Sequence, residues 1–125
     1  MEKRRKVVVF GIFDGLHAGH HFFFEQARKY GDKLIVIAGR DDFVRNVKNK
    51  EPRHSEQERI RNLLKEPFVD NAVLGDKVMS SYRVLEDIQP DSICFGYDQK
   101  ALSEDVKKWM EKNGMHIPTY SLRKL

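Results

Sequence analysis

Two histidines stand three residues apart in the segment FDGLHAGH, which occupies positions 13–20. If a helix begins here, the spacing places His17 and His20 on the same side of its first turn. Paired imidazoles can donate hydrogen bonds to phosphate oxygens, and such bonds strengthen as negative charge builds up in a transition state. The spacing therefore predicts that these two histidines face a phosphate group.

The rest of this loop offers backbone groups that suit an anion. The first N–H groups of a helix lack partners within the helix and attract negative charge. Gly11 and Gly19 carry no side chain, so we expect backbone to approach a phosphate closely at these positions. We interpret Asp14 as an Asx-type turn residue that bonds backbone amides rather than as a base. His21 cannot share a helical face with His20, which disfavours a metal site built from these histidines.

The apolar pattern of the chain indicates how these residues are positioned. Strand-like apolar segments alternate with helix-like amphipathic segments, and no hairpin signal joins two strands. Strands are predicted at 6–12, 34–38, 71–74, 92–95 and 117–121. Helices are predicted at 18–30, 55–65, 80–88 and 103–112, with a short helix and a loop over 41–53. This alternation predicts an α/β fold, a Rossmann-like three-layer α/β/α sandwich with a five-stranded parallel sheet.

Two helix boundaries carry specific signals. Ser55 and Glu58 have the spacing of a capping box at the start of a helix. Asn113 and Gly114 are typical of a helix end closed by a glycine. In parallel sheets, ligands bind beyond the carboxyl ends of the strands. The segments 11–20, 39–50, 75–79 and 96–99 are therefore the expected site.

Length and composition limit the classes of protein that this chain can represent. Its 125 residues suit one domain, and a single cysteine, Cys94, excludes a disulfide framework within one chain and fits a reducing cytoplasm. The basic N-terminus leads into an apolar run too short for a signal peptide or a membrane span. The net charge of +4 is spread without a basic stripe, so we expect a small phosphate-bearing ligand and no nucleic acid.

The segment FDGLHAGH resembles the HxGH signature of the nucleotidyltransferase superfamily. Members of that superfamily transfer a nucleoside monophosphate from a nucleoside triphosphate to a small phosphorylated acceptor and release pyrophosphate. The resemblance extends over nearly the whole chain, through GDKLIVIAGRDD, VDNAVLG and FGYDQ. It implies that positions 1–125 form one nucleotidyltransferase domain, in which Mg²⁺ accompanies the triphosphate.

The resemblance also implies roles for individual residues. His17 and His20 would contact the triphosphate and stabilise the transition state at the α-phosphorus, and Lys48 and Lys50 would neutralise the reacting phosphates. Arg59 would either touch phosphate or anchor the lysine-bearing loop. The positions implied for nucleotide binding, besides the histidines, are Gly11, Ile12, Phe13, Asp14, Gly19, Arg59, Gly96, Asp98 and Ser121.

Two branches of the superfamily compete for this chain. Cytidylyltransferases that act on glycerol-3-phosphate usually carry an arginine before the third strand, where this chain has Pro67 and Phe68. The segments GDKLIVIAGRDD, VDNAVLG and QPDSICFGYDQ are more similar to the FMN adenylyltransferase (FAD synthase) branch. The preferred hypothesis is therefore transfer of AMP from ATP to FMN, with CTP-dependent cytidylyl transfer as the alternative.

Two positions depart from the family pattern. Ile12 stands where the family usually has threonine or another small or polar residue. The phosphate-gripping Ile-Ser-x-Thr-x-Ile motif that usually follows the fifth strand is missing or truncated after Ser121. A catalytically weak nucleotide-binding module is therefore a further alternative. Because the family often dimerises, a homodimer is also expected by resemblance.

Overall fold

A single parallel sheet of five strands forms the centre of the fold, in the order β3-β2-β1-β4-β5. The computed structural model describes residues 4–125, so the first three residues of the basic N-terminus lie outside it. Every strand pairing is parallel, which confirms the predicted sheet. The strands are β1 (Lys6–Gly11), β2 (Lys33–Ala38), β3 (Asn71–Leu74), β4 (Ser92–Phe95) and β5 (Thr119–Ser121).

The helices cover both faces of the sheet and complete the predicted three layers. They are α1 (Ala18–Arg28), α2 (Asp41–Lys48), α3 (Glu56–Leu64), α4 (Val84–Ile88) and α5 (Lys100–Lys112). The core on one face includes side chains of α1 and α3, and the core on the other face includes side chains of α4 and α5. None of these helices is long and apolar enough to cross a membrane, within the part of the chain that the structure describes.

The central strand β1 is buried on both faces. Val7 and Val9 pack in the core beneath α1, whereas Val8 and Phe10 pack in the core beneath α5. Successive side chains of a strand point to opposite faces, so a strand covered on both sides must be apolar at every position. The first loop, which follows β1, therefore starts from the most rigid part of the sheet.

The predicted helix boundaries hold where a cap is present. The hydroxyl of Ser55 accepts a hydrogen bond from the backbone N–H of Glu58 at 3.2 Å, as the capping box predicts. Gly114 ends α5 with a left-handed φ of 67°, and the N–H of Met115 donates to the carbonyl of Met110 at 2.9 Å. These contacts satisfy backbone groups that the helix ends would otherwise leave unpaired.

Two helices differ from the prediction. The helix expected at 80–88 begins only at Val84 because the Asp76 carboxylate accepts hydrogen bonds from the N–H groups of Arg83 and Val84, at 2.8 and 3.0 Å. The residues before Val84 consequently stay in a loop. The helix expected from residue 103 begins three residues earlier, at Lys100, and Ser103 lies buried within it.

Candidate active site

The first loop runs between β1 and α1, at the point where the strand order reverses. β1 pairs with β2 on one side and β4 on the other, so a cleft is expected at its carboxyl end. His17 is the N-cap residue of α1, and its Nδ1 accepts a hydrogen bond from the N–H of Gly19 at 3.0 Å. This bond assigns the proton of the neutral ring to Nε2, which is then able to donate to a ligand.

His20 lies directly against His17. The two rings stack with centroids 3.9 Å apart and an interplanar angle of 25°, as expected for side chains on one side of the first turn. Phe13 contacts the His20 ring edge-on, with centroids 5.3 Å apart. The Nδ1 atom of His20 is buried and has no hydrogen-bond partner among residues 4–125. Both rings are thus held in place before any ligand arrives.

Burial, the largest cause, and the positive fields of His17 and His21 together lower the pKa of His20 to about 4, against a smaller opposing effect of Asp98. The ring is therefore neutral at neutral pH. A neutral imidazole binds phosphate as a hydrogen-bond donor rather than as a fixed cation. An incoming polyanion would reverse the field and favour protonation.

Gly11 and Gly19 make room for neighbouring side chains, whereas close approach of a phosphate to the backbone at these positions stays a prediction. A Cβ atom at Gly11 would lie 2.5 Å from Cζ of Phe13, a buried residue with a left-handed φ of 54°. A Cβ atom at Gly19 would lie 2.9 Å from Cε1 of His17. Gly11 thus admits the phenyl ring that supports His20, and Gly19 admits the capping imidazole.

Asp14 joins two loops instead of closing its own turn, which corrects the Asx-turn interpretation. Its carboxylate accepts hydrogen bonds from the N–H of Arg53 at 2.6 Å and the N–H of His54 at 2.9 Å, and lies 3.1 Å from His54 Nδ1. Burial would raise the pKa of Asp14, but these hydrogen bonds outweigh it and the pKa lies below its usual value. The ionised carboxylate therefore fastens the loop before α3 to the histidine loop.

Arg59 is fully buried and anchors the same loops. Its Nη1 atom donates to the carbonyls of Ile12 and Gly39, at 2.9 and 2.7 Å. Its Nε donates to the carbonyl of His54 at 3.3 Å, and its Nη2 pairs with the Asp41 carboxylate at 2.9 Å. The guanidinium is thus enclosed by protein and anchors these loops, which is one of the two roles expected for Arg59; its contact with phosphate stays a prediction.

Lys48 and Lys50 lie at the end of α2 and in the loop that follows, and both are exposed. Asn49 between them has a left-handed φ of 53°, which ends the helix. Arg45 pairs with Glu51 at 2.9 Å and folds this segment back onto α2. Contact between the two lysines and the reacting phosphates stays a prediction.

The loop after β4 is braced by a residue that sequence reasoning missed. The Gln99 side chain accepts from the N–H of Gly96 and donates to the carbonyl of Phe10, both at 2.8 Å. It therefore links the carboxyl ends of β1 and β4, and the Gly96 amide is already engaged. Asp98 is exposed, and its charge acts on His20. The segment FGYDQ indicated this loop, but no pattern distinguished Gln99 within it.

Ser121 is the last residue of β5. It lines a surface depression together with Gln26, Tyr30 and Arg123. Gln26 is six residues after His20 on α1, a rise of about 9 Å. A role for Ser121 in nucleotide binding stays a prediction.

His21 and Arg53 complete the surroundings of the first loop. His21 Nδ1 lies 2.5 Å from Glu66 Oε1, so this imidazole packs against another part of the protein. Arg53 reaches the loop, because its Nη1 would lie 3.6 Å from a Cβ atom at Gly15. Sequence reasoning noticed Arg53 only as part of a local basic excess. Within residues 4–125, no group of three or more histidine, cysteine or acidic side chains is placed to hold a metal ion.

Known proteins resemble this chain over most of its length. The cytidylyltransferase-like family model matches residues 8–121. A protein of Aciduliprofundum boonei named FAD synthase is 40% identical over 95% of this chain and 78% of its own length. A protein of Pyrococcus horikoshii with the same name is 33% identical over 97% of this chain and 82% of its own length.

Solved structures share the fold. One, titled as the lipopolysaccharide core biosynthesis protein from Thermoplasma volcanium, is 31% identical with a TM-score of 0.87, over 98% of this chain and 99% of that chain. A pantoate-beta-alanine ligase from Francisella tularensis has a TM-score of 0.70 over 98% of this chain and 60% of its own, and at 14% identity it shows the fold alone. The model match and the relatives together show that the chain belongs to the cytidylyltransferase-like family.

Proposed function

We propose that this protein is a nucleotidyltransferase that transfers AMP from ATP to FMN, forming FAD and releasing pyrophosphate. The observation that carries the proposal is the stacked pair of His17 and His20 at the start of α1, in a chain whose relatives are named FAD synthase. The histidine pair supports chemistry at a phosphate, and the named relatives support the choice of acceptor.

The reaction requires one bond to form and one to break at the α-phosphorus. A phosphate oxygen of FMN attacks the α-phosphorus of ATP and forms a new O–P bond. The bond between the α-phosphorus and the oxygen bridging to the β-phosphate breaks, and its electron pair leaves with pyrophosphate. No covalent bond to the protein is needed, so catalysis consists of positioning and charge stabilisation.

The two histidines suit this task because both rings are held in place and carry N–H groups that can donate hydrogen bonds to phosphate oxygens. His17 presents Nε2–H outward, since its Nδ1 is engaged by Gly19. His20 is held by Phe13 and by the stacking contact with His17. Donors that are oriented in advance stabilise developing charge without reorganisation during the reaction.

The cations needed to neutralise the phosphates are assigned to the loop after α2 and to Mg²⁺. Lys48 ends α2 and Lys50 lies in the loop that follows, and both are exposed. Asp14 binds the other end of this loop, at Arg53 and His54, and joins it to the histidine loop. Mg²⁺ usually keeps several waters and binds through substrate phosphates rather than through a full set of protein ligands. We therefore expect Mg²⁺ to enter with ATP.

A cytidylyl transfer is the second candidate because the matching family model is named for that activity. In it, CTP would replace ATP and a small acceptor such as glycerol-3-phosphate would replace FMN. The chemistry at the α-phosphorus and the roles of the histidines would be the same. Substrate choice must therefore be tested directly.

The test is pyrophosphate release by the purified protein with Mg²⁺, using ATP or CTP combined with FMN or glycerol-3-phosphate. The proposal predicts release only with ATP and FMN, and chromatography should show FAD in equal amount. Release with CTP and glycerol-3-phosphate would replace the proposed acceptor and keep the mechanism. Nucleotide binding without release in any combination would favour the weak binding module.

A further inference from the structure

A small apolar surface adjoins the candidate active site at the carboxyl ends of β1 and β2. Phe43 and Ile12 converge above Gly39, because a Cβ atom added there would lie 3.2 Å from Phe43 Cδ1 and 3.6 Å from Ile12 Cγ1. Phe43 is 37% exposed although its side chain is a large aromatic ring. Val47 is 52% exposed and follows Phe43 by one helical turn, so both lie on the same face of α2. We call Ile12, Phe43 and Val47 the apolar platform.

Positive charge borders the apolar platform. Lys48 directly follows Val47, and Lys50 lies in the next loop, with both side chains exposed. An aromatic or aliphatic surface with cations at one edge suits a ligand that joins a flat apolar ring to a phosphate. FMN has this form, because its isoalloxazine ring is connected to a terminal phosphate through a ribityl chain.

The platform is also held rigidly relative to the histidines. Ile12 is followed in the chain by Phe13, whose ring contacts His20. The buried guanidinium of Arg59 binds the carbonyls of both Ile12 and Gly39. A ring resting on the platform would therefore have a fixed position relative to the histidine pair, as an acceptor needs for attack in a defined direction.

We propose that the apolar platform binds the isoalloxazine ring of the acceptor, with Phe43 as the principal contact. This inference rests on the proposed function and assigns the residues that select a flavin over a small phosphorylated acceptor. The nucleotide would then bind on the other side of β1, where Asp98 follows β4. Ile12, which departs from the small or polar residue usual in the family, then contributes apolar contact to the ring.

Binding measurements can separate the ring from the phosphate, because riboflavin carries the ring without the phosphate. The anisotropy of flavin fluorescence would be titrated with wild-type protein and with Phe43→Ala. Because Phe43→Ala removes one aromatic contact, it should lower the affinity for both FMN and riboflavin about tenfold. Lys48→Ala should weaken FMN much more than riboflavin.

Phe68 supplies the matched control. It is also 37% exposed, but it lies in the connection that leads into the amino end of β3, whereas the apolar platform lies at the carboxyl ends of the strands. Phe68→Ala should leave both affinities unchanged. Phe43→Trp retains an aromatic ring and should preserve most of the affinity that Phe43→Ala loses.

Kinetics then distinguish the occupants of the platform. Phe43→Ala should raise KM for FMN about tenfold and leave KM for ATP within about twofold. If the wild-type protein makes FAD and Phe43→Ala binds FMN with unchanged affinity, the platform proposal is wrong and the proposed function still stands. A rise in KM for ATP instead would place the adenine ring there and also overturn the inference. If the wild-type protein neither binds FMN nor forms FAD, both proposals fail.

Discussion

At the scale of single residues, the low pKa of His20 couples folding to pH. The unfolded chain takes up a proton at His20 near the usual value of 6.5, whereas the folded protein does so only near 4. The contribution of this group to stability is therefore complete above pH 6.5 and is lost as the pH falls from 6.5 towards 4. The slope from one proton is at most about 1.4 kcal/mol per pH unit.

Replacing His20 by glutamine should remove this dependence. We expect the free energy of unfolding, measured by urea denaturation, to fall less between pH 7 and pH 5 in His20→Gln than in the wild type. The same substitution at exposed His116 serves as the control and should leave the wild-type slope in place. If the free energy of unfolding changes equally with pH in all three proteins, the burial argument for His20 is wrong.

His17 caps α1 and is proposed to bind the reacting phosphate, and two substitutions can separate these roles. His17→Ala removes the N-cap acceptor of Gly19, which should cost about 1 kcal/mol of stability. If His17 donates to the reacting phosphate as proposed, the same substitution should lower kcat about 10²- to 10³-fold. His17→Asn restores a side-chain cap acceptor, so it should recover stability in thermal unfolding without recovering turnover. Recovery of both would assign His17 to capping alone.

At the scale of elements, Arg59 on α3 connects three segments that carry the site. Its guanidinium binds carbonyls of Ile12, Gly39 and His54, so its removal leaves buried acceptors and the Asp41 carboxylate without their partner. Breaking a buried charged pair in this way costs about 3–5 kcal/mol.

Arg59→Leu should therefore lower the urea midpoint strongly. Arg61 lies two residues later on the same helix with an exposed side chain, and Arg61→Leu should change stability by no more than about 0.5 kcal/mol. A small effect of Arg59→Leu would show that the loops after β1 and β2 do not depend on this guanidinium. Activity measured on the same variants should follow the order of their stabilities.

The elements themselves were largely predictable from the sequence, because their signals are local. The apolar run at 7–10 and the cap formed by Ser55 and Glu58 each predicted the feature that the structure shows. The connections between loops were not predictable, because they join residues distant in the chain. Asp14 bonds Arg53 from 39 residues away, and Gln99 bonds Phe10 from 89 residues away. The apolar periodicity of the sequence does not indicate such long-range contacts.

Glycines of the first loop illustrate the same limit within a short segment. Their presence indicated that space was needed near the backbone, which the structure confirms at Gly11 and Gly19. What fills the space depends on the rotation of Phe13 and His17, which the sequence pattern does not specify. The approach of a phosphate to these positions stays a prediction.

At the scale of the whole molecule, nucleotide binding should stabilise the entire domain. A ligand that binds only the folded state adds about 2.7 kcal/mol at a concentration of 100 times its Kd. In a chain of 125 residues, each kcal/mol raises the Tm by about 4 °C. Saturating nucleotide should therefore raise the Tm by about 10 °C.

The size of this shift discriminates between the nucleotides without requiring turnover. We expect Mg²⁺ with ATP to raise the Tm more than Mg²⁺ with CTP at equal concentration, because the proposed reaction uses ATP. FMN should add a separate increase, because the proposed platform and the proposed nucleotide side lie on opposite sides of β1. A larger shift with CTP would favour cytidylyl transfer, and no shift with either nucleotide would contradict a nucleotide site beside the histidine pair. Because a thermal shift depends on binding alone, a large ATP shift in a protein that releases no pyrophosphate would identify a binding module.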